Sequence, residues 1–416
     1  MREIERLTGK LLDAFVTITA NAYPGIKLAT DAEKERLRER MAQMQDSGEV
    51  HFYGLMEDGA LLGGMRFHDY TMKLRSTMTP VGGLGGVAVD LTHKKEKVAY
   101  EMVLFFLRHY REQGACLTAL YPFRPDFYRR MGFGYGSKIS QYRVPPASLP
   151  RDGEKTAVSF LTEADKAGVK ACYGRFLQQT NGLMEKQAYA LDSLFTSPTL
   201  KLVGYKQQGE LQGYIAFTFK MCEEGNFLWQ DIVIHEFVYE NRMALAALLA
   251  FLHAQADQVD RIAFNVQDDN LHFIFTDPRN GSKRMIPVVW HESNTQGVGI
   301  MYRVIDVPRL FAVLADHDFN GQSCRFTLSL RDSLLPENEG RYGVACVNGR
   351  IALTASQPDD VVVSMDVAEF SSLITGAIGF NELYRFNLAD ISDAAYTDAI
   401  HQLFWTAQKP LCLTSF

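Results

Sequence analysis

GVAVDLTHKKEKV, residues 86–98, combines the end of a strand, a basic turn and the start of a helix. The run Val81–Val89 is rich in glycine, which indicates that another backbone or a ligand lies close to this strand. Backbone N–H groups and the dipole at a helix N-terminus bind phosphate, and Lys94, Lys95 and Lys97 add positive charge. The stretch therefore predicts a phosphate-binding turn, with a solvated, lysine-rich turn as the alternative interpretation.

The segment around this turn has the pattern of an α/β unit. Two strands within His51–Leu74 are joined by a hairpin turn at Glu57-Asp58-Gly59, after a charged helix over residues 31–46. Beyond the turn, the sequence predicts an apolar helix that Gly114 ends, a strand at Ala115–Tyr121, a short helix opened by Pro125 and a last strand at Lys138–Val144. Prolines at 145, 146 and 150 indicate a linker after these elements.

The next segment repeats this order. The hairpin Tyr205–Lys220 matches the first one, and the turn glycines Gly59 and Gly209 are 150 residues apart. A strand, a helix and a strand follow, at Leu228–His235, Met243–His253 and Arg261–Val266. Agreement in order and spacing indicates a duplication, although an α/β chain can show such an order by chance.

The last segment is rich in strands. A short helix begins near Pro308, and strands are predicted at Cys324–Leu330, Tyr342–Val347, Arg350–Ala355 and Val361–Met365. Helices are predicted over 367–376 and 393–404. The tail from Lys409 to Phe416 is apolar enough to be docked on the protein rather than frayed.

Composition excludes several classes of protein. The 43 basic and 49 acidic residues give a net charge of −6, which argues against a dedicated nucleic-acid-binding protein. The six cysteines are widely spaced and the ten histidines show no HxxxH or HxH pairing, so neither a disulfide framework nor a metal site is predicted. The absence of a long apolar run or a signal core predicts no membrane association and a cytoplasmic location.

Two motifs of the first segment resemble the GNAT acyltransferase family. They are the turn after the strand Val87–Val89 and the sequence FYRRMGF at residues 127–133. Together with the repeat and the β-rich last segment, they make the whole chain similar to the enhanced-intracellular-survival (Eis-like) acetyltransferases, which join two GNAT-like domains to a sterol-carrier-protein-like domain. The resemblance implies an α/β (α+β) fold with a GNAT domain at 1–148, a degenerate GNAT-like domain at 149–298 and a sterol-carrier-protein-like domain at 299–416.

The resemblance also implies an acetyl-CoA site and two catalytic groups. Coenzyme A would be held by the strand end, the turn and the helix start, at Val87, Ala88, Val89, Lys94, Lys95, Lys97 and Val98. Tyr128 would protonate the leaving thiolate, and the free carboxylate of Phe416 would take the proton of the amine. As alternatives, Tyr128 is a packing residue and the Phe416 ring is an apolar anchor. The turn departs from the family pattern, because Lys97 stands where the family has a glycine.

The leading functional hypothesis is an acetyl-CoA-dependent N-acetyltransferase acting on a primary amine of a small cationic molecule, aminoglycoside-like, or of lysine. The alternatives are a degenerate acyltransferase fold used as a binding or assembly module, and lipid carriage by the last domain. The family implies a homo-oligomer, commonly a hexamer. The second segment's equivalent of the basic turn, His235–Arg242, is acidic and lacks glycine, so we expect it to bind no nucleotide and to form a wall of the cleft.

Overall fold

The first part of the chain alternates strands and helices in the predicted order. The computed structural model describes residues 1–26, 28–355 and 361–416. The elements of the first part are β1 (Arg2–Arg6), α1 (Lys10–Ala22), α2 (Asp31–Asp46), β2 (Val50–Glu57), β3 (Ala60–Leu74), β4 (Thr77–Val89), α3 (Val98–Glu112), β5 (Leu117–Leu120), α4 (Pro125–Arg130), β6 (Gly134–Tyr135) and β7 (Ile139–Val144).

The middle of the chain repeats the order hairpin, strand, helix, strand. Its elements are β8 (Val158–Phe160), α5 (Lys166–Gln179), α6 (Ala188–Thr196), β9 (Lys201–Gln207), β10 (Glu210–Met221), β11 (Gln230–Tyr239), α7 (Arg242–His253), β12 (Ile262–Val266), β13 (Met285–Ile286), β14 (Trp290–His291) and β15 (Asn294–Gly297). The strand predicted at Leu228–His235 thus starts two residues later and continues to Tyr239.

The last part contains a further sheet and several short helices. Its elements are β16 (Met301–Val304), α8 (Val307–Val313), β17 (Cys324–Arg331), β18 (Gly340–Val347), β19 (Arg350–Thr354), β20 (Val362–Asp366), α9 (Val367–Thr375), α10 (Phe380–Arg385), β21 (Ala389–Ile391) and α11 (Thr397–Phe404). The predicted strands lie within two residues of their observed ends, whereas β16, α10 and β21 were not predicted.

The two matching hairpins have the same turn conformation. Asp58 and Gly59 connect β2 to β3 with φ of 50° and 81°, and Gln208 and Gly209 connect β9 to β10 with φ of 51° and 85°. A two-residue turn with both central residues at positive φ fits the right-handed twist of a hairpin. The shared turn supports the duplication inferred from the sequence.

The strands of the first two sheets do not follow the order of the chain. The first has the order β1-β2-β3-β4-β5-β16-β6 and the second the order β15-β7-β12-β11-β10-β9-β8. The sequence analysis therefore assigned β7 wrongly to the first segment, since it belongs to the second sheet, and it predicted no strand at Met301–Val304, which completes the first sheet. The α/β class is confirmed, and the predicted domain boundaries stay a prediction.

Helix α9 joins the last part of the chain to the first sheet. It is buried along its whole length, and it packs against β16 and β6 as well as β17 and β20. The buried Arg75 donates to the carbonyls of Ile374 (2.8 Å) and Phe404 (2.7 Å), which end α9 and α11. Since a cation near helix C-termini is stabilising, this contact fixes the last domain on the first. The end of the C-terminal tail lies next to β4.

Candidate active site at the opening between β4 and β5

The first sheet opens where β4 and β5 part. Residues Val81–Leu84 of β4 pair in parallel with Leu117–Leu120 of β5. Strand β4 then continues to Val89, after β5 has ended. Gly86 has a φ of 57° at a register shift between β3 and β4, so a β-bulge turns the strand at this point. The opening therefore exposes one edge of β4 beyond the bulge.

The three residues after the bulge differ in the direction of their amides. The amide of Asp90 donates to the carbonyl of Leu62 at 2.9 Å, and Ala88 lies opposite Gly64 two residues earlier. Because alternate residues of a strand face opposite neighbours, Ala88 pairs with β3 while Val87 and Val89 face the opening. Of the three predicted carbonyl-polarising residues, Val87 and Val89 thus direct their amides to the opening, and Ala88 directs its amide to β3.

The N-terminus of α3 lies at the end of this edge and has no side-chain cap. Lys97 occupies the N-cap position with a φ of 64°, and its side chain makes no capping hydrogen bond. Lys94, Lys95 and Lys97 are exposed, and none of them forms an ion pair with another described residue. Buried Val98 anchors the first turn of the helix. Uncapped helix amides and three cations without an ion pair are groups that can bind an anion.

The family glycine at position 97 corresponds to a left-handed backbone conformation here. Lysine adopts that conformation at a cost of roughly 1–2 kcal/mol relative to glycine. Arg2 supports the turn, because it donates to the carbonyl of Glu96 at 2.8 Å and pairs with Glu101 at 2.8 Å. The turn therefore keeps its shape without the glycine.

Helix α7 of the second sheet corresponds to α3, and its N-terminus is capped by a side chain. The Asn241 side chain accepts from the amides of Met243 and Ala244, both at 3.0 Å, so it caps α7. The predicted loop His235–Arg242 is mostly strand, since β11 runs to Tyr239 and only the short turn Glu240-Asn241 precedes α7. A capped helix leaves these amides unavailable to a phosphate.

Tyr128 lies on α4, at the side of the opening. It is 7% exposed, and burial raises the pKa of its phenol above the ordinary value, with the nearby Tyr23 phenol adding to the effect. Tyr23 itself donates to the carbonyl of Val87 at 2.5 Å. The two phenols and the end of β4 therefore form one cluster. The sequence analysis missed Tyr23, which no motif distinguishes from other tyrosines.

Phe416 lies against the glycine-rich part of β4. A Cβ atom at Gly85 would stand 2.7 Å from the carboxyl carbon of Phe416, and one at Gly83 would stand 2.6 Å from its ring. The ring also contacts Tyr70 and Tyr121 edge to face, with centroids 5.3 and 5.4 Å apart. The glycine run predicted to admit a backbone or a ligand thus admits the end of the chain itself.

The tail is held by hydrogen bonds from three connecting segments of the first two parts of the chain. The amide of Leu411 donates to the carbonyl of Asn181 at 2.8 Å, and the amide of Cys412 donates to Oε1 of Gln267 at 2.5 Å. Ser137 donates to the carbonyl of Pro410 at 2.7 Å. The predicted docking of the tail agrees with these contacts, although the tail forms no strand.

Arg66 and His68 line the same face of β3 beside Phe416. A Cβ atom at Gly85 would stand 3.1 Å from the Arg66 guanidinium, whose pKa is lowered by burial. His68 is fully buried, shares a hydrogen bond with Gln187 through Nδ1 and has its pKa lowered to about 3 by burial. It is therefore neutral at physiological pH. Neither residue was predicted, although strand alternation places both on the face of Tyr70.

Two further features bear on the predictions of ligands and membranes. Among the described residues, ligand atoms of Cys222, Asp231 and Asp260 lie close enough together for a metal ion, but Asp231 already accepts from Cys222 and pairs with Arg143. In the described part of the chain, every helix is too short or too polar to cross a bilayer.

Family models match the three parts of the chain. Acetyltransferase (GNAT) domain models match residues 3–136 and 184–304, and a sterol carrier protein domain model matches residues 310–413. The fold, the opening between β4 and β5 and the two GNAT family matches together define a GNAT acyltransferase. More narrowly, the chain has two GNAT domains followed by a sterol carrier protein domain, the order expected from its resemblance to the Eis-like acetyltransferases.

Solved structures share the complete fold. A GCN5-related N-acetyltransferase from Anabaena variabilis has a TM-score of 0.82 at 15% identity, with both chains covered in full. A GCN5-related N-acetyltransferase from Kribbella flavida has a TM-score of 0.81 at 18% identity, covering 100% of this chain and 98% of its own. Eis1 from Mycobacterium abscessus has a TM-score of 0.76 at 21% identity, with both chains covered in full. No curated protein matches the chain by sequence.

Proposed function

We propose that the chain transfers the acetyl group of acetyl-CoA to a primary amine of a small cationic molecule, aminoglycoside-like, or of lysine. The observation that carries this proposal is the position of the terminal carboxyl group, whose carbon packs against Gly85 one residue before the bulge of β4. This main-chain group would act as a base, and it lies next to the amides of the opening. Few folds bring a chain terminus into such a place.

The residues of the opening fit coenzyme A. The exposed Lys94, Lys95 and Lys97 and the uncapped start of α3 at Val98 would hold the pyrophosphate, and the edge of β4 would hold the rest of the molecule by main-chain hydrogen bonds. When bound, acetyl-CoA supplies an acetyl group activated as a thioester. The amides of Val87 and Val89 would polarise its carbonyl.

The two predicted catalytic groups have complementary protonation states. The Phe416 carboxylate would accept the proton that the amine loses. Tyr128 keeps its proton because burial raises the pKa of the phenol, so it would donate to the sulfur of the leaving group. An acid and a base are thus available on one opening.

The charge of the carboxylate supports a cationic acceptor, since it attracts an amine that arrives protonated. The net charge of −6 acts in the same direction. We place the protein in the cytoplasm, and the six free cysteines support a reducing compartment.

We also propose that the protein forms a homo-oligomer, with a hexamer as the expected form. The hairpin of β13 and β14 supports this proposal. Its side chains at Met285, Ile286, Val288, Val289 and Trp290 are 53–76% exposed. An apolar cluster of this kind on one hairpin is typical of a surface that a second chain covers.

Extension of the C-terminus tests the catalytic proposal. Two glycines added after Phe416 move the carboxylate by about 3.3 Å per residue. We expect the rate of amine acetylation, followed by thiol release, to fall by roughly 10²- to 10⁴-fold with coenzyme A affinity unchanged.

A C-terminal amide, made by semisynthesis, is the matched control for length. It keeps every atom of the Phe416 ring in place and removes the negative charge, so it should lose activity to the same degree. Full activity of the extended or the amidated protein would show that the terminal carboxylate is not the base.

A further inference from the structure

The second sheet contains a cleft that corresponds to the opening between β4 and β5. Strands β11 and β12 pair in parallel only at Ile232–Val233 and Ile262–Ala263, and they diverge beyond these residues. A cavity of about 390 Å³ lies between the diverging ends, within the size range of small-molecule sites. Its walls are the two strand ends, Phe176 of α5 and the C-terminal tail from Leu411 to Phe416.

The lining of this cavity is mainly apolar. Most of its side chains are aliphatic or aromatic: Tyr121, Ile139, Phe176, Ile234, Phe237, Tyr239, Val266, Leu271, Leu411, Leu413 and Phe416. The charged side chain in the lining is the exposed carboxylate of Asp268, and the lining includes no lysine or arginine. Asn241 caps the helix that would otherwise offer amides to a phosphate. The cavity therefore suits an uncharged ligand and not coenzyme A.

One polar group of the lining lacks a partner. Gln267 is 8% exposed, and its Oε1 accepts from the amide of Cys412. Its Nε2 is buried and has no hydrogen-bond partner among the described residues. A buried donor without an acceptor is destabilising by about 1–3 kcal/mol, so native proteins pair such groups with protein, water or ligand. Nε2 of Gln267 is thus a donor available to an oxygen atom in the cavity.

We propose that this cleft is a second ligand site, which binds a small, uncharged, mainly apolar molecule with one carbonyl or hydroxyl oxygen. The oxygen accepts from Nε2 of Gln267, and the apolar part packs between the ends of β11 and β12 and the tail. Because Gln267 also holds Cys412, the ligand stabilises the docked tail and hence the position of Phe416. The site adjoins the proposed active site through Phe416, and its occupation does not depend on the proposed activity.

Calorimetry with two aromatic probes tests the site on the full-length protein. Acetophenone has a ring and one carbonyl oxygen, and ethylbenzene has nearly the same shape without the oxygen. We expect acetophenone to bind at least five-fold more tightly than ethylbenzene. Hydrogen exchange of the amides at 411–416 should slow when acetophenone is present. Equal affinities, no binding at millimolar concentration, or unchanged exchange of the tail would overturn the proposal.

Two variants locate the binding. Gln267→Glu keeps an acceptor for the Cys412 amide and removes the Nε2 donor, so acetophenone should bind at least five-fold more weakly while ethylbenzene binds as before. Val266→Phe fills the cavity and should weaken both probes at least ten-fold. The matched control is Val347→Phe, at a valine of β18 that is 55% exposed and outside the cavity. If the Val266 variant folds and binds both probes like the control, the site lies elsewhere.

Discussion

Gly83 and Gly85 leave space beside β4 for Phe416, the residue that carries the proposed base. Each leaves room for one part of Phe416, the ring at position 83 and the carboxyl group at position 85. In Gly85→Ala, the added Cβ would stand 2.7 Å from the carboxyl carbon and 3.1 Å from the Arg66 guanidinium. We expect at least a ten-fold loss of acetylation and a destabilisation of about 1–3 kcal/mol, because overpacking forces neighbouring groups to move.

The control for this change is Gly297→Ala on β15, where a Cβ atom would have no neighbour within 4 Å. It should leave the rate and the thermal midpoint unchanged. If Gly85→Ala behaves like this control, the carboxyl group either has another position in solution or tolerates displacement.

Tyr128→Phe tests the proposed acid at the same scale. The ring keeps its contacts with Phe127 and Phe133, so the thermal midpoint should change little, while turnover falls by roughly 10- to 10⁴-fold. Since burial raises the pKa of this phenol above 10, Tyr128 stays protonated as the pH rises from 7 to 10. The parent rate should therefore show no decline in this range from loss of the acid.

Tyr205→Phe provides the comparison for Tyr128. Tyr205 is a buried tyrosine of β9 in the second sheet, 2% exposed. It should keep parental turnover. If the Tyr128→Phe enzyme has the same turnover as this control, Tyr128 is a packing residue and not the acid.

The sequence predicts residues of the site where they belong to one contiguous motif. Lys94, Lys95, Lys97 and Val98 follow β4 directly, so their common location could be inferred from order alone. Tyr23 and Arg66 could not be found in this way, because they reach the opening from the C-cap of α1 and from β3 through tertiary packing. The resemblance to a family, and not a spacing, identified Phe416.

Among the elements, the starts of α3 and α7 differ in one property that decides what they bind. The first has lysines and free amides, whereas the second is closed by Asn241. Reversing two charges in Lys94→Glu with Lys95→Glu should weaken coenzyme A binding by at least 100-fold in calorimetry, since phosphate binding depends on positive charge at the helix start.

Lys201→Glu with Lys220→Glu makes the same change in net charge on exposed lysines of the second sheet. This control should bind coenzyme A like the parent, and both double variants should unfold at the parental midpoint. Equal affinities of the two double variants would remove the basic turn from the binding site.

Local elements were predictable because their signals are local. The turns at Asp58-Gly59 and Gln208-Gly209, the glycine that ends α3 and the strands of the last sheet all have near-neighbour causes. The location of β7 and β16 has a different cause. Each strand pairs with partners more than 100 residues away along the chain, as in the pair of Ile262 with Val144 and the pair of Met301 with Leu120. Proximity along the sequence therefore assigned β7 to the wrong sheet and gave no strand at the position of β16.

For the whole molecule, the exposed hairpin of β13 and β14 predicts association. We expect the 46.9-kDa chain to have a multiple of its own mass in light scattering, and Trp290→Glu to reduce that mass because it places a charge in the proposed interface. Trp405→Glu is the control, at a tryptophan that is 47% exposed and outside the hairpin. A parent that runs as a monomer, or a Trp290 variant with parental mass, would contradict the proposal.

The place of β16 in the first sheet has a consequence for biosynthesis. The N-terminal sheet needs Met301–Val304 between β5 and β6, so it stays incomplete on the ribosome until the whole second domain has been translated. Domains usually fold in the order of their synthesis, N-terminal first. Here the middle domain can close before the first one does.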